Sequence, residues 1–405
     1  MTDLIVREVK DKAGTMDFLN VPFPLYRNDP NWVAPLYFER LEHLSPKKNP
    51  YFQHADVQLF VAYRNGKPVG RISAQHDRLR LEHHKDNTGQ FGFFESENDP
   101  AVAKALFNAA ENWLKARRFT RVRGPFNFSI NDEIGLLVNG FERKPNMMMG
   151  HSLPYYNALM EGGGFRKAKD LIAYYTDDLG PLPPLLNRVA KRAMASGDIQ
   201  IRPLDKKNIK RDINIVMDIF NDAWSENWDY VPFTAAELEK LANDLKMLVH
   251  GEYIAIVTYK GENAAMAVTL PNLNEWIDGF NGRLLPFNWL KLVKEVIAKR
   301  PHSIRMPLLG VRKKFQDGIL GSAFAILAID TVRNYHISRG TKACRACQLH
   351  HRHFIFLTRK VAKHHRAHPG CNCPIKPQWI KIRKYKRIFA SSAALENGFV
   401  DLRKL

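Results

Sequence analysis

LFVAYRNGKPVGRISA, residues 59–74, places two β-rich runs, 57–63 and 68–74, on either side of Asn65–Gly66. Asn-Gly accepts the positive φ that a tight hairpin turn requires, so the stretch predicts two antiparallel strands. A third strand fits FGFFES, 91–96. NDPAVAKALFNAAENWLKARRF follows, with Asp99 as N-cap and Pro100 in the first turn. Val102, Leu106, Ala110, Trp113 and Leu114 then fall on one helical face. RVRG, 121–124, begins another strand.

Further along, the plan recurs. EYIAIVTY (252–259) and AAMAVTL (264–270) form a hairpin, IRMPLLGV (304–311) is the next strand, and 321–338 is helical. Two hairpin–strand–helix runs predict a duplicated, mixed α+β fold, each copy a mostly antiparallel sheet flanked by helices. DDLGPLPPLLN, 177–187, has the Pro and Gly content of a boundary. The expected layout is a first domain over 1–180, a linker over 181–200, an incomplete second domain over 201–343 and a tail over 344–405.

Composition agrees with a globular chain: among 405 residues, 45% are hydrophobic and 25% charged, enough apolar material for two cores. The opening MTDLIVREVKD has charges where a secretory signal needs an apolar run, so a cytoplasmic location is expected. The longest apolar-looking run, ILGSAFAILAI (319–329), falls short of the ~20 residues a membrane span needs, leaving peripheral contact.

The strings themselves carry a resemblance. LFVAYRNGKPVGRISA, GFFES and LMEGGGFRKAKDLIAYY (159–175) resemble the GNAT acyltransferase superfamily over residues 57–175, with a second copy over 201–340. More narrowly, GPFNFSINDEIGLLVNGF, PYYNALMEGGGFRKAKDL and NDAWSENWDYVPFT resemble the tandem-GNAT family that includes bacterial ceramide synthases and YghO-like proteins. The resemblance implies transfer of a fatty acyl group from acyl-CoA to an amine, with a sphingoid base or similar long-chain amine as acceptor. The fold alone does not fix the acceptor.

The superfamily's glycine-rich pyrophosphate loop is absent after Ser96, so the first unit is expected to bind no CoA. In the second, QDGILG (316–321) keeps the first glutamine, Gln316, and the last glycine, Gly321, while Ile319 replaces the middle glycine beside Gly318; the string opens a helix, where backbone N–H groups cradle phosphates. Arg312, Lys313 and Lys314 stand just upstream; ordinary surface cations are the competing reading.

Acyl transfer from a thioester needs a general base and a donor for the developing oxyanion. Asp132 and Glu133, in SINDEIG, are candidate bases whose pKa apolar Ile130 and Ile134 would raise; turn residues are the alternative. His151 is a further candidate base, with a structural histidine as the competing reading. Tyr155 and Tyr156 are candidate acids or oxyanion donors, because the superfamily's tyrosine position aligns with Met160; buried packing is the competing reading of the pair.

LLPFNWLKLVKEVIAKRP, 284–301, reads as a basic amphipathic helix suited to an anionic bilayer, or as a core helix with one solvated face. The thioethers of PNMMMGHSL suit either an acyl chain or core filling.

The tail differs chemically. All four cysteines (Cys344, Cys347, Cys371 and Cys373) and six histidines lie beyond residue 343; residues 342–405 hold 15 Lys and Arg against two acids, within a net charge of +20. Zinc is one reading of the Cys/His content, though C-x-C and adjacent histidine pairs are atypical. A nucleic-acid or lipid arm is another. The preferred reading is a shifted reading frame, because family-like sequence stops after SRGTKA. No metal is assigned. The leading expectation is therefore an N-acyltransferase, and its rival is a GNAT-like scaffold with a basic, nucleic-acid-binding tail.

Overall fold

The computed structural model describes residues 3–174, 184–248, 251–298, 301–338, 343–345, 351–358, 395–396 and 399–400. β1 (Leu4–Glu8) pairs antiparallel with β2 (Ala55–Arg64), which turns through Asn65 at φ 50° and Gly66 at φ 76° into β3 (Lys67–Asp77). β4 (Thr88–Ser96) pairs with β3 and leads into the Pro100–Ala116 helix, whose Ala101 N–H is accepted by the Asp99 carboxylate at 2.7 Å. β5 (Arg121–Gly124) returns parallel to β4; β6 (Leu136–Asn139) and β7 (Phe165–Ala173) follow.

Val102, Leu106, Phe107, Ala110 and Leu114 of this helix are buried against Phe60, Ile72 and Phe91 of the sheet. The opposite face has its own core of Phe18, Tyr51, Val61, Phe93 and Phe128. Each large apolar side chain so buried contributes about 1.5–3 kcal/mol.

The chain divides into two units. Unit 1 comprises Met1–Thr176, Asn272–His302 and Cys347–His365; unit 2 comprises Asp177–Pro271, Ser303–Ala346 and Arg366–Leu405. In unit 2, residues 184–195 of the expected linker form a helix, Pro184–Ala195. β8 (Ile199–Pro203), β9 (Ile254–Tyr259), β10 (Glu262–Pro271), β11 (Ser303–Val311) and β12 (Ala343–Arg345) make a five-stranded sheet in the order β12-β11-β10-β9-β8. The tandem plan is visible in its joints. The β9–β10 turn uses Lys260 at φ 50° and Gly261 at φ 82°, and the Gly318–Ser338 helix links parallel β11 and β12 as the Pro100–Ala116 helix links β4 and β5.

The next described strand, β13 (His351–Thr358), lies in the unit 1 sheet, antiparallel to β7 from His351↔Ala173 to Thr358↔Phe165. Part of the anomalous tail thus has a sheet position. Cys347, Cys371, Cys373, His350, His364, His365 and His368 lie outside the described residues.

Unit 2 also contains a buried ion pair with a testable pH signature. The fully buried Asp212 side chain receives Arg202 Nη2 at 2.9 Å, the Asp205 N–H at 2.8 Å and Arg211 Nε at 2.9 Å. Burial pushes this carboxyl up, but those bonds outweigh it and hold the pKa down to about 2. The unfolded value is near 3.9, so the stabilisation is complete above about pH 4 and is lost as pH falls towards 2. At neutral pH it amounts to about 2 kcal/mol. Thermal unfolding between pH 7 and pH 3 should therefore show Asp212→Asn much less stable than the parent at pH 7, with the gap closing in acid. A gap independent of pH would contradict this origin.

Candidate active site

β4 does not keep its two-residue alternation. Arg71 pairs with Glu95, but Ser73 already pairs with Gly92, so β4 holds one residue more than β3 between these points. Phe93 takes up the excess at φ 48°. Such a bulge reverses which face the following side chains occupy. Phe91 and Phe94 both pack in the core under the Pro100–Ala116 helix, whereas Phe93 packs on the other face against Phe18 and Phe128. Glu95 goes with Phe93.

On that face the carboxylate is surrounded by donors. Glu95 Oε2 accepts from Tyr156 at 2.6 Å and from Tyr26 at 2.8 Å, and Arg71 Nη2 lies 3.5 Å from Oε1. The Tyr156 hydroxyl in turn accepts the Ser96 N–H at 3.2 Å. Burial raises the Glu95 pKa despite the opposing Arg71 charge and the two phenols. Burial, followed by the Glu95 charge, pushes both Tyr26 and Tyr156 well above the ordinary phenol value. Glu95 itself keeps 12% of its side-chain surface exposed.

The expected acidic loop serves this site indirectly. Phe126 and Ile134 bridge it into a small antiparallel excursion beside β4. Asn127 accepts the Phe93 N–H at 2.7 Å and donates to Glu133 Oε2 at 3.0 Å, while Glu133 pairs with Arg40. Glu133 thus clamps the bulge that presents Glu95. The expectation of a raised Glu133 pKa is corrected: burial pushes it up, but Arg40 and the Asn127 amide hold it below the ordinary carboxylate range. Asp132 accepts the Ser129 N–H at 3.2 Å, the geometry of a turn.

Of the other expected residues, Tyr156 is in contact with Glu95 and His151 is one residue further out. His151 Nε2 lies 2.8 Å from Asp29 Oδ2, and its ring centroid is 5.8 Å from that of Tyr26. Tyr155 donates to the Ser96 carbonyl at 2.8 Å and shapes the strand end. Met160 is buried core. Glu95, Tyr26, Arg71 and Asp29 were not singled out from sequence; the adjacent Phe93–Phe94 pair before Glu95 was the available sign of a bulge.

The expected phosphate cradle is in unit 2. The helix beginning at Gly318 follows a short turn of helix, Lys313–Gln316, and Gln316 Nε2 donates to the Val311 carbonyl at 2.8 Å. A Cβ at Gly321 would come within 2.2 Å of the Phe315 carbonyl oxygen, so this glycine is needed for packing. Arg312, Lys313 and Lys314 pair with Asp218, Glu226 and Glu262, respectively. In unit 1 the equivalent helix start is already capped by Asp99, itself paired with Arg64 beside Glu97. A second anion there would meet like charge.

Among the described residues, no group of three or more His, Cys, Asp or Glu side chains is placed to hold a metal ion, and no helix is long and apolar enough to cross a membrane.

No family model matches the sequence. Over 339 residues the chain is 43% identical to a bacterial ceramide synthase of Caulobacter vibrioides, covering 84% of this chain and 88% of that one. It is 39% identical over 335 residues to protein YghO of Escherichia coli, covering 82% and 84% respectively. Among solved structures, a tandem GNAT protein from the clavulanic acid biosynthesis pathway matches with a TM-score of 0.49 and 9% identity, over 88% of this chain and 98% of that one. A probable N-acyltransferase from Enterococcus faecalis matches with a TM-score of 0.44 and 9% identity, over 88% and 72%.

Proposed function

We propose a reaction for this chain, which belongs to the family of bacterial ceramide synthase and YghO and is an N-acyltransferase. The donor is a long-chain acyl-CoA; the acceptor is the amine of a sphingoid base or a similar long-chain amino alcohol. One relative is named for making ceramide, an N-acylated sphingoid base, and that acceptor class is carried over on this likeness.

The observation that carries the site assignment is Glu95, a partly accessible carboxylate with a raised pKa and two phenols on one oxygen. The amine nitrogen attacks the thioester carbonyl and gives its proton to Glu95. The C–S bond then breaks. The leaving thiolate takes that proton from Glu95, which Tyr156 steadies by a hydrogen bond of 2.6 Å, so the products are an amide and free CoA thiol. Tyr26 steadies the carboxylate and His151 packs against Tyr26, while Glu133 holds the bulge and Asp132 its turn. Within unit 2 alone, Gln316, Gly318 and Gly321 are the proposed cradle for a pyrophosphate, with Arg312 and Lys314 exchanging their carboxylate partners for phosphate. The reaction is placed at a cytoplasmic membrane surface, where such acceptors partition.

The test is thiol release by purified protein given palmitoyl-CoA or acetyl-CoA, with and without sphinganine. Release that needs both palmitoyl-CoA and sphinganine is expected. Donor hydrolysis indifferent to the amine, or no release from folded protein, would overturn the reading.

A further inference from the structure

Eleven large hydrophobic side chains are exposed among the described residues, and six of them fall in one short segment: Leu285, Phe287, Trp289, Leu290, Val293 and Ile297. Leu285, Phe287 and Ile297 are each more than 70% exposed. The segment includes the Asn288–Ala298 helix, which has no buried residue. Single exposed apolar residues are ordinary on a protein surface, but a contiguous set on one element marks a binding face.

The helix has two sides. At about 100° per residue, Trp289, Leu290, Val293 and Ile297 share one arc. Leu292 and Val296, at its edge, are half-buried. The helix therefore rests on that edge and leaves the rest of its apolar arc open. Exposed Lys294 borders the arc, with Lys291 beyond it, and exposed Arg283 stands just ahead of the helix; Glu295 lies on the far side. Phe38 and Leu41 are also exposed, on the Tyr37–His43 helix, which is joined to this segment by the Tyr37 N–H donating to the Gly282 carbonyl at 3.0 Å.

We propose that residues 283–297 are a membrane-docking element that inserts its apolar arc into the surface of an anionic lipid bilayer. The argument is complementarity. Aromatic and aliphatic side chains suit the boundary between headgroups and acyl chains, and the flanking cations suit anionic headgroups. Eleven helical residues cannot span a bilayer but can lie in its surface. Docking rests on this surface alone; that it brings a membrane-dissolved acceptor to the enzyme rests on the function proposed above.

The experiment uses full-length protein and vesicles of phosphatidylcholine with or without phosphatidylglycerol, separated by flotation. The parent should float with anionic vesicles, and Phe287→Glu/Ile297→Glu should lower its partition coefficient about tenfold or more. Lys291→Glu/Lys294→Glu should remove most of the preference for anionic over neutral vesicles. Thermal melting confirms that each variant is folded. Equal partitioning of parent and variants would overturn the proposal. So would a lipid-free dimer abolished by Phe287→Glu/Ile297→Glu, since a second copy would then cover the face. Thiol release measured in detergent with dissolved substrates separates the two ideas: activity there without vesicle binding rejects docking only, and binding without activity rejects the function only.

Discussion

Glu95→Gln is expected to lower kcat for thiol release by about 10²–10⁴-fold, the usual contribution of a positioned general base. Gln keeps the shape and one acceptor for Tyr156 but cannot take the amine proton. The pH profile provides the sharper readout. Burial raises the pKa of Glu95, so the parent rate should climb with pH through that raised value as the carboxylate forms, then level off. The climb should be absent in Glu95→Gln. Glu133→Gln should behave differently: Arg40 keeps Glu133 ionised throughout this range, so its loss loosens the bulge and lowers the rate without removing the acidic limb. A Glu95→Gln enzyme within threefold of the parent, or an acidic limb that vanishes only in Glu133→Gln, would move the base away from Glu95.

How far the sequence could be read depended on how local each feature was. The β2–β3 turn was legible because its paired left-handed residues, Asn65 and Gly66, are adjacent in the chain. The Pro100–Ala116 helix was legible because Asp99 caps it within two residues. Glu95 was hidden by the same local logic: a period of two puts Phe91, Phe93 and Glu95 on one side, and only the bulge separates Phe91 from the other two. Glu133 was singled out as a reactive carboxylate because its partner was invisible; Arg40 lies 93 positions away and reverses the sign of its expected pKa shift. Tyr26, 69 positions from Glu95, had no local sign at all. The two-sidedness of 284–301 was plain from spacing, but whether a core covered its apolar side depended on distant packing.

The largest structural effect is expected at Gly92. Its missing side chain lets the Phe126 carbonyl lie directly against β4, where a Cβ would come within 1.6 Å of the oxygen and 2.4 Å of the carbonyl carbon. No rotamer relieves that overlap, because both sides are backbone. Phe126 is also tied there by its N–H to the Phe91 carbonyl at 2.7 Å, and its own carbonyl accepts from the buried Gln75 amide at 2.9 Å. Gly92→Ala must therefore push the loop off the strand and break bonds on both sides, at a cost of about 3 kcal/mol or more. For a unit of this size the melting temperature should fall by roughly 6–12 °C. Because Asn127 of the same loop holds the Phe93 N–H, displacement also releases the bulge and turns Glu95 away from Tyr26 and Tyr156. Whatever Gly92→Ala protein remains folded should thus lose activity beyond its loss of stability. A variant that melts within 2 °C of the parent and turns over at the parent's rate would show that the loop does not press on β4 as described, and with it the link between this glycine and Glu95 would fail.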